Sequence, residues 1–184
     1  YSDCNLKWKL RYIDKLGTFV GNIHTLFGTA MHTVIQEYLS VMYNKSIIAA
    51  DKLNMESRLK EEMVTEFTKI KESQNILPCT QDEMVEFYQD GIAILEHFRK
   101  YRNKYFMKQN WELVGIEVPI VKSVQKGVDV MGYLDVVIRN KISGRIVIID
   151  LKTATRGWTD FQKKDFNKKS QLLIYKKFYS ELFD

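Results

Sequence analysis

The stretch that most constrains the fold lies between Val128 and Asp150, where two runs rich in Val and Ile, "VDVMGYLDVVIR" and "RIVIID", are joined by the link "NKISGR". Such runs are bound for a sheet, and a short link containing glycine makes them neighbouring strands of a hairpin. Yet each carries an acid: Asp135 lies within the first and Asp150 ends the second, with Lys152 two residues on. Paired strands would bring the two carboxylates towards one point, where bare negative charges repel unless a cation lies between them. Oxygen-rich sites of this kind suit hard divalent ions such as Mg²⁺ or Mn²⁺, and the backbone carbonyl of Leu151 offers a further oxygen. The period of two puts Lys152 on the same side as Asp150. There an ammonium can orient or deprotonate an attacking water, or stabilise charge on a phosphate. Taken alone, Asp-x-Lys also fits a blander reading, a strand-terminal Asp making turn hydrogen bonds beside a solvated Lys.

The rest of the chain supplies helices to cover such a sheet. Leu26, Met31, Val34, Ile35, Tyr38, Leu39 and Met42 recur at spacings of three and four in "LFGTAMHTVIQEYLSVMYN". A second helix is expected over "DKLNMESRLKEEMVTEFTKIKES", with Leu53, Met55, Leu59, Met63, Phe67 and Ile70 facing inward. After Pro78, Thr80 and Glu83 form a capping box that opens a third helix running to about Phe106. "WELVGIEVPIV" reads as a strand, and "NKKSQLLIYKKFYSELF" as a last helix with Leu172, Tyr175, Phe178, Tyr179 and Leu182 on its apolar stripe. Helices, three strands and a helix predict an α/β or α+β domain with a small central mixed sheet flanked by helices.

With 184 residues, 45% of them hydrophobic, the chain can build one core. A single domain over 1–184, standing alone or within a longer chain, is the expectation. No apolar run reaches the roughly 20 residues that span a bilayer, so no membrane partner is expected. Cys4 and Cys79 are far apart and without Cys-x-x-Cys spacing, which supports neither a disulfide framework nor a zinc or iron-sulfur site and reads as intracellular. Charge is uneven: from Lys152 to Lys177 eight basic residues stand against two acids. That concentration fits a polyanion partner, most simply nucleic acid, or a solvated face. At the N-terminus, Tyr1, Trp8 and Tyr12 alternate with Lys7, Lys9 and Arg11, a pattern that fits stacking on single-stranded bases or half-buried packing on the core.

Four motifs stand in order: "FGTAMH" opening a helix, then "GYLD", "IVIIDLKTA" and "SQLLIY". Together they resemble the RecB-like exonuclease branch of the PD-(D/E)xK nuclease superfamily, and the resemblance spans most of the chain. It implies a restriction-endonuclease-like core and a metal-dependent site that cuts DNA. Carried over by motif, it makes His32 an imidazole ligand, Asp135 and Asp150 carboxylate ligands, and Lys152 the catalytic lysine. Gln171 and Tyr175, four apart on one helical face, would position Lys152, the water or a phosphate. Without the motif, His32 would read as a core histidine and the Gln171–Tyr175 pair as packing. Glu117 stands in the strand before "GYLD" as an extra ligand or as a group holding a ligand in place. The proline that gives the motif its name is replaced by Leu134, which removes no ligand. Relatives that hold an iron-sulfur cluster use four cysteines, so no cluster is expected here.

The sequence therefore predicts a Mg²⁺- or Mn²⁺-dependent deoxyribonuclease, an exonuclease on DNA ends or single strands. Arg156, Trp158, Lys163, Lys164, Lys168 and Lys169 would contact DNA, and a helicase or recombination protein is a partner consistent with the resemblance. The rival reading is an inactive DNA-binding or assembly module with the same fold.

Overall fold

A computed structural model describes residues 4–16, 20–154, 159–160, 164 and 166–183. In order they form α1 (Asn5–Trp8), a π-type turn (Lys9–Ile13), α2 (Ile23–Asn44), α3 (Ile47–Asp51), α4 (Met55–Gln74) and α5 (Gln81–Tyr101). Then come β1 (Trp111–Gln125), β2 (Val128–Asn140), β3 (Ile146–Ile149) and α6 (Phe166–Phe183).

Polar side chains set where the helices begin, because the first N–H groups of a helix lack partners within it. Asn22 and Thr25 cap α2 reciprocally, and Thr80 and Glu83 do the same for α5, as their spacing predicts. Asn54 accepts from the Ser57 N–H and starts α4 at Met55. The helix expected from Asp51 therefore begins four residues later, and the short α3 before it, Ile47–Asp51, is not anticipated from the sequence. The third helix also ends earlier than expected, at Tyr101, and passes into one 3₁₀ turn over Arg102–Lys104.

Helix α2 runs through the centre of the molecule, with Leu26, Ala30, Met31, Tyr38, Leu39 and Met42 wholly covered. Leu59 and Met63 of α4, Leu95 of α5 and Val136 and Ile138 of β2 belong to the same core. On the other face of the sheet Ile120, Leu134 and Val137 meet Phe178 and Tyr179 of α6. Of the stripe expected on α6, those two are buried, whereas Leu172 and Leu182 are exposed. The helix seats on a sheet only three strands wide.

That sheet has the order β1-β2-β3 with both pairings antiparallel, so the described strands form a meander and not the mixed sheet expected from sequence. The fold is a mixed α+β arrangement of the restriction-endonuclease-like kind. Pro119 is tolerated because β1 is an edge strand. Gly144, at φ 72°, closes the β2–β3 hairpin where the sequence places it, and the Asn140 side chain accepts from the Ile142 and Ser143 N–H groups. Strict alternation would put Leu134 and Val136 on one face, yet they join opposite cores, so the pleat slips at Asp135.

None of residues 4–16 is buried: Tyr12 is 59% exposed, and half-buried Trp8 stacks near it at 5.9 Å. Among the described residues of this segment none belongs to either core cluster, Trp8 being the most covered of them, and Tyr1 lies outside the described residues. Among the described residues no helix is long and apolar enough to cross a membrane.

Candidate active site

The slip in the sheet and the central helix meet at one point. Asp135 projects from β2, Glu117 from β1 and His32 from α2, and one ligand atom from each lies within 4.8 Å of the others. Glu117 reaches the cluster by an unusual backbone, with φ 50° in the left-handed region. For a residue with a Cβ this conformation costs on the order of 1–2 kcal/mol, and it redirects the side chain from the face that alternation would give it. Gln36, one turn after His32, donates from Nε2 to Glu117 Oε1 at 2.6 Å and to the Asp135 carbonyl at 3.4 Å. It is the one buried polar residue among those described, so its amide ties α2 to both strands.

Opposing influences act on Asp135. Burial pushes its carboxyl above the usual carboxylate range; the Leu151 N–H, donating at 2.6 Å, and His32, with Nδ1 at 3.8 Å, pull the other way, and the nearby Asp150 and Glu117 carboxylates push it further up. A half-buried acid beside two others is a place where a cation relieves repulsion. The donor set fits one: at bond lengths of about 2.0–2.1 Å the neighbouring donors of an octahedral ion stand about 2.9 Å apart and opposite ones about 4.2 Å, so three groups within 4.8 Å of one another need to close by at most about 2 Å, within the reach of side-chain rotation.

A second arm lies beside the cluster, where β3 ends. Lys152 Nζ sits 2.8 Å from Asp150 Oδ2 and 3.0 Å from Oδ1, and it donates to Gln171 Oε1 at 3.3 Å. Gln171 in turn donates from Nε2 to the Tyr175 hydroxyl at 2.8 Å. The Tyr175 ring lies over Gly132, where a Cβ would come within 2.9 Å of Cε1. The glycine of "GYLD" thus makes room for the tyrosine of "SQLLIY". In the same way the glycine of "FGTAMH", Gly28, brings α2 close to the segment after Lys152, since a Cβ there would meet Thr153 Oγ1 at 3.2 Å.

The structure therefore brings His32, Glu117 and Asp135 together in one group and Asp150, Lys152, Gln171 and Tyr175 in an adjoining one. Asp150 is within electrostatic reach of Asp135, but its nearest partner is Lys152 and it is not in the 4.8 Å cluster. Leu151 meets Asp135 through its N–H. Sequence reasoning missed Gln36, whose only signal is its four-residue spacing from His32. Among the proposed DNA contacts, Lys164 and Lys169 are exposed, whereas Arg156, Trp158, Lys163 and the Lys168 side chain lie outside the described residues.

Two acids and an imidazole gathered from two strands and a helix, with an Asp–Lys pair beside them at the end of β3, define a candidate cation-binding hydrolytic site. The chain belongs to the PD-(D/E)XK nuclease superfamily, whose family model matches residues 1–183. No curated protein matches the sequence.

Proposed function

We propose that the chain is a divalent-cation-dependent deoxyribonuclease of the RecB-like branch, acting as an exonuclease on DNA ends or single strands. The observation that carries this reading is the convergence of His32, Glu117 and Asp135, from three different elements, within 4.8 Å and beside the Asp150–Lys152 pair. These three residues would hold the ion, with Asp150 and the Leu151 carbonyl as further oxygen donors. When bound, a divalent cation makes water more acidic and neutralises charge on a phosphodiester.

The chain's own residues position the reactants. Gln36 holds the Glu117 carboxylate, and the Leu151 N–H holds that of Asp135. Lys152 has three N–H donors. With Asp150 and Gln171 each taking one, the third is directed at a phosphate oxygen or the attacking water, and Tyr175 fixes Gln171. The positive charge of Lys152 then opposes the negative charge that develops in the transition state. Basic residues after the site, Lys164 and Lys169 among them, would contact the DNA backbone, which makes binding sequence-tolerant and weaker as salt rises. Because imidazole is a softer donor than carboxylate, Mn²⁺ is favoured over Mg²⁺ at equal concentration.

The test is a Mn²⁺ titration against end-labelled single-stranded, double-stranded and branched DNA. Lys152→Ala and Asp150→Ala are expected to lower the rate by at least about 100-fold, the scale seen when one transition-state-stabilising donor is removed. Absence of metal-dependent cleavage by the wild type on all three substrates would favour an inactive binding module instead.

A further inference from the structure

One face of α2 repeats every four residues as His24, Gly28, His32 and Gln36. Residues at this spacing stack along a helix at about 6 Å intervals, so His24 stands about 12 Å from His32 along the axis. His32 and Gln36 serve the acidic cluster, and Gly28 lies against Thr153. His24 instead lines a cavity of about 300 Å³ between α2, α5 and the segment that follows Lys152, together with Phe27, Phe87, Asp90 and Thr153. Three rings meet there edge to face: His24 on Phe87 at 5.3 Å and 69°, and Phe27 on Phe87 at 5.3 Å and 77°. Phe27 is 6% exposed and anchors the group in the core. The nuclease reading makes no use of this pocket.

We infer that the pocket is a subsite for one unstacked nucleobase of the strand being cut, within a few nucleotides of the scissile phosphate. This rests on the nuclease reading above. A stacked strand advances 3.4 Å per nucleotide, so the distance from His32 to His24 covers only a few nucleotides. Aromatic rings bind the π-face that every base presents, and a base reaches such a pocket only when it is out of the duplex. Asp90 supplies an acceptor for an exocyclic amino group, which cytosine, adenine and guanine carry and thymine lacks. The subsite thus selects for frayed or single-stranded DNA and, at one position, against thymine.

The experiment walks a single abasic residue, and separately a 2-aminopurine, through about four positions on either side of the cleaved bond of a labelled single-stranded oligonucleotide. Binding is read by anisotropy with Mn²⁺ on the Lys152→Ala background, with His24→Ala added, and with Phe87→Leu as a near-isosteric second variant. At one position the abasic residue is expected to weaken binding about 5- to 100-fold, the size of a lost base-aromatic stack, and 2-aminopurine there to be quenched. Adding His24→Ala or Phe87→Leu should then cost little more, because lesion and variant remove the same contact. Equal binding for all abasic positions, or losses that simply add, overturns the subsite and leaves the nuclease reading intact. If coupling is seen but the wild type cuts no DNA with Mn²⁺, the pocket still binds a base, but the nuclease reading falls and with it the pocket's place beside a scissile phosphate. Failure to bind DNA at all overturns both.

Discussion

At the scale of the residue, Asp135 links the candidate site to stability. Its carboxyl is raised in the folded state, chiefly by burial. A raised folded value means that its contribution to stability is fully present below the unfolded pKa and is lost as pH rises through the folded one. At pH 8, without metal, the site therefore works against folding, and Asp135→Asn is expected to melt at a higher temperature than the wild type; at pH 4 the advantage should vanish. With Mn²⁺ at about a hundred times its Kd the order reverses. The wild type should gain about 2.7 kcal/mol, or about 5–10 °C for a chain of this length, and the variant little. Melting curves at both pH values, with and without Mn²⁺, check this, and a metal-free variant less stable than the wild type at pH 8 would contradict it. The sequence exposed Asp135 because an acid inside an apolar strand is anomalous. It could not show how firmly Glu117 joins the cluster, since its aim depends on a φ of 50° that no alternation rule anticipates. Nor did it show Gln36, because an amide on a helix declares its role only once Glu117 is opposite it.

At the scale of the element, α6 and β2 are fitted together by Gly132 and Tyr175. Gly132→Ala places a methyl against the tyrosine ring. The shift would pass through Gln171 to Lys152, and misplacement by about 1 Å can cost about 100-fold in rate. The expectation is a 10- to 100-fold lower kcat with KM for DNA and melting temperature little changed, whereas Tyr175→Phe, which keeps the ring and loses the bond to Gln171, should fall less. A Gly132→Ala enzyme with unchanged kcat would show that the chain of hydrogen bonds does not position Lys152. Element boundaries were legible where a cap declares itself, as Thr80 and Glu83 do. They were misread at Asn54, whose cap is hidden in a run that is apolar at helical spacing on both sides.

At the scale of the whole molecule, the sheet separates two cores, one built on α2 with α4 and α5 and the other beneath α6. The candidate site lies where α2, β1, β2 and the end of β3 meet, so it draws on residues from His32 to Tyr175. The order of elements and the motif residues could be read along the chain, since they depend on local periodicity and residue type. Which acids lie closest to one another could not, because that depends on register and on the slip at Asp135. The sequence paired Asp135 with Asp150 as neighbouring carboxylates, and the charge of Asp150 does act on Asp135; the geometry adds Glu117 to the cluster and sets Lys152 against Asp150. The most direct measurement is anomalous diffraction at the manganese edge from crystals grown with Mn²⁺. The account predicts a peak about 2.0–2.3 Å from one atom each of His32, Glu117 and Asp135; a peak held by other residues, or none in this cluster, would contradict it.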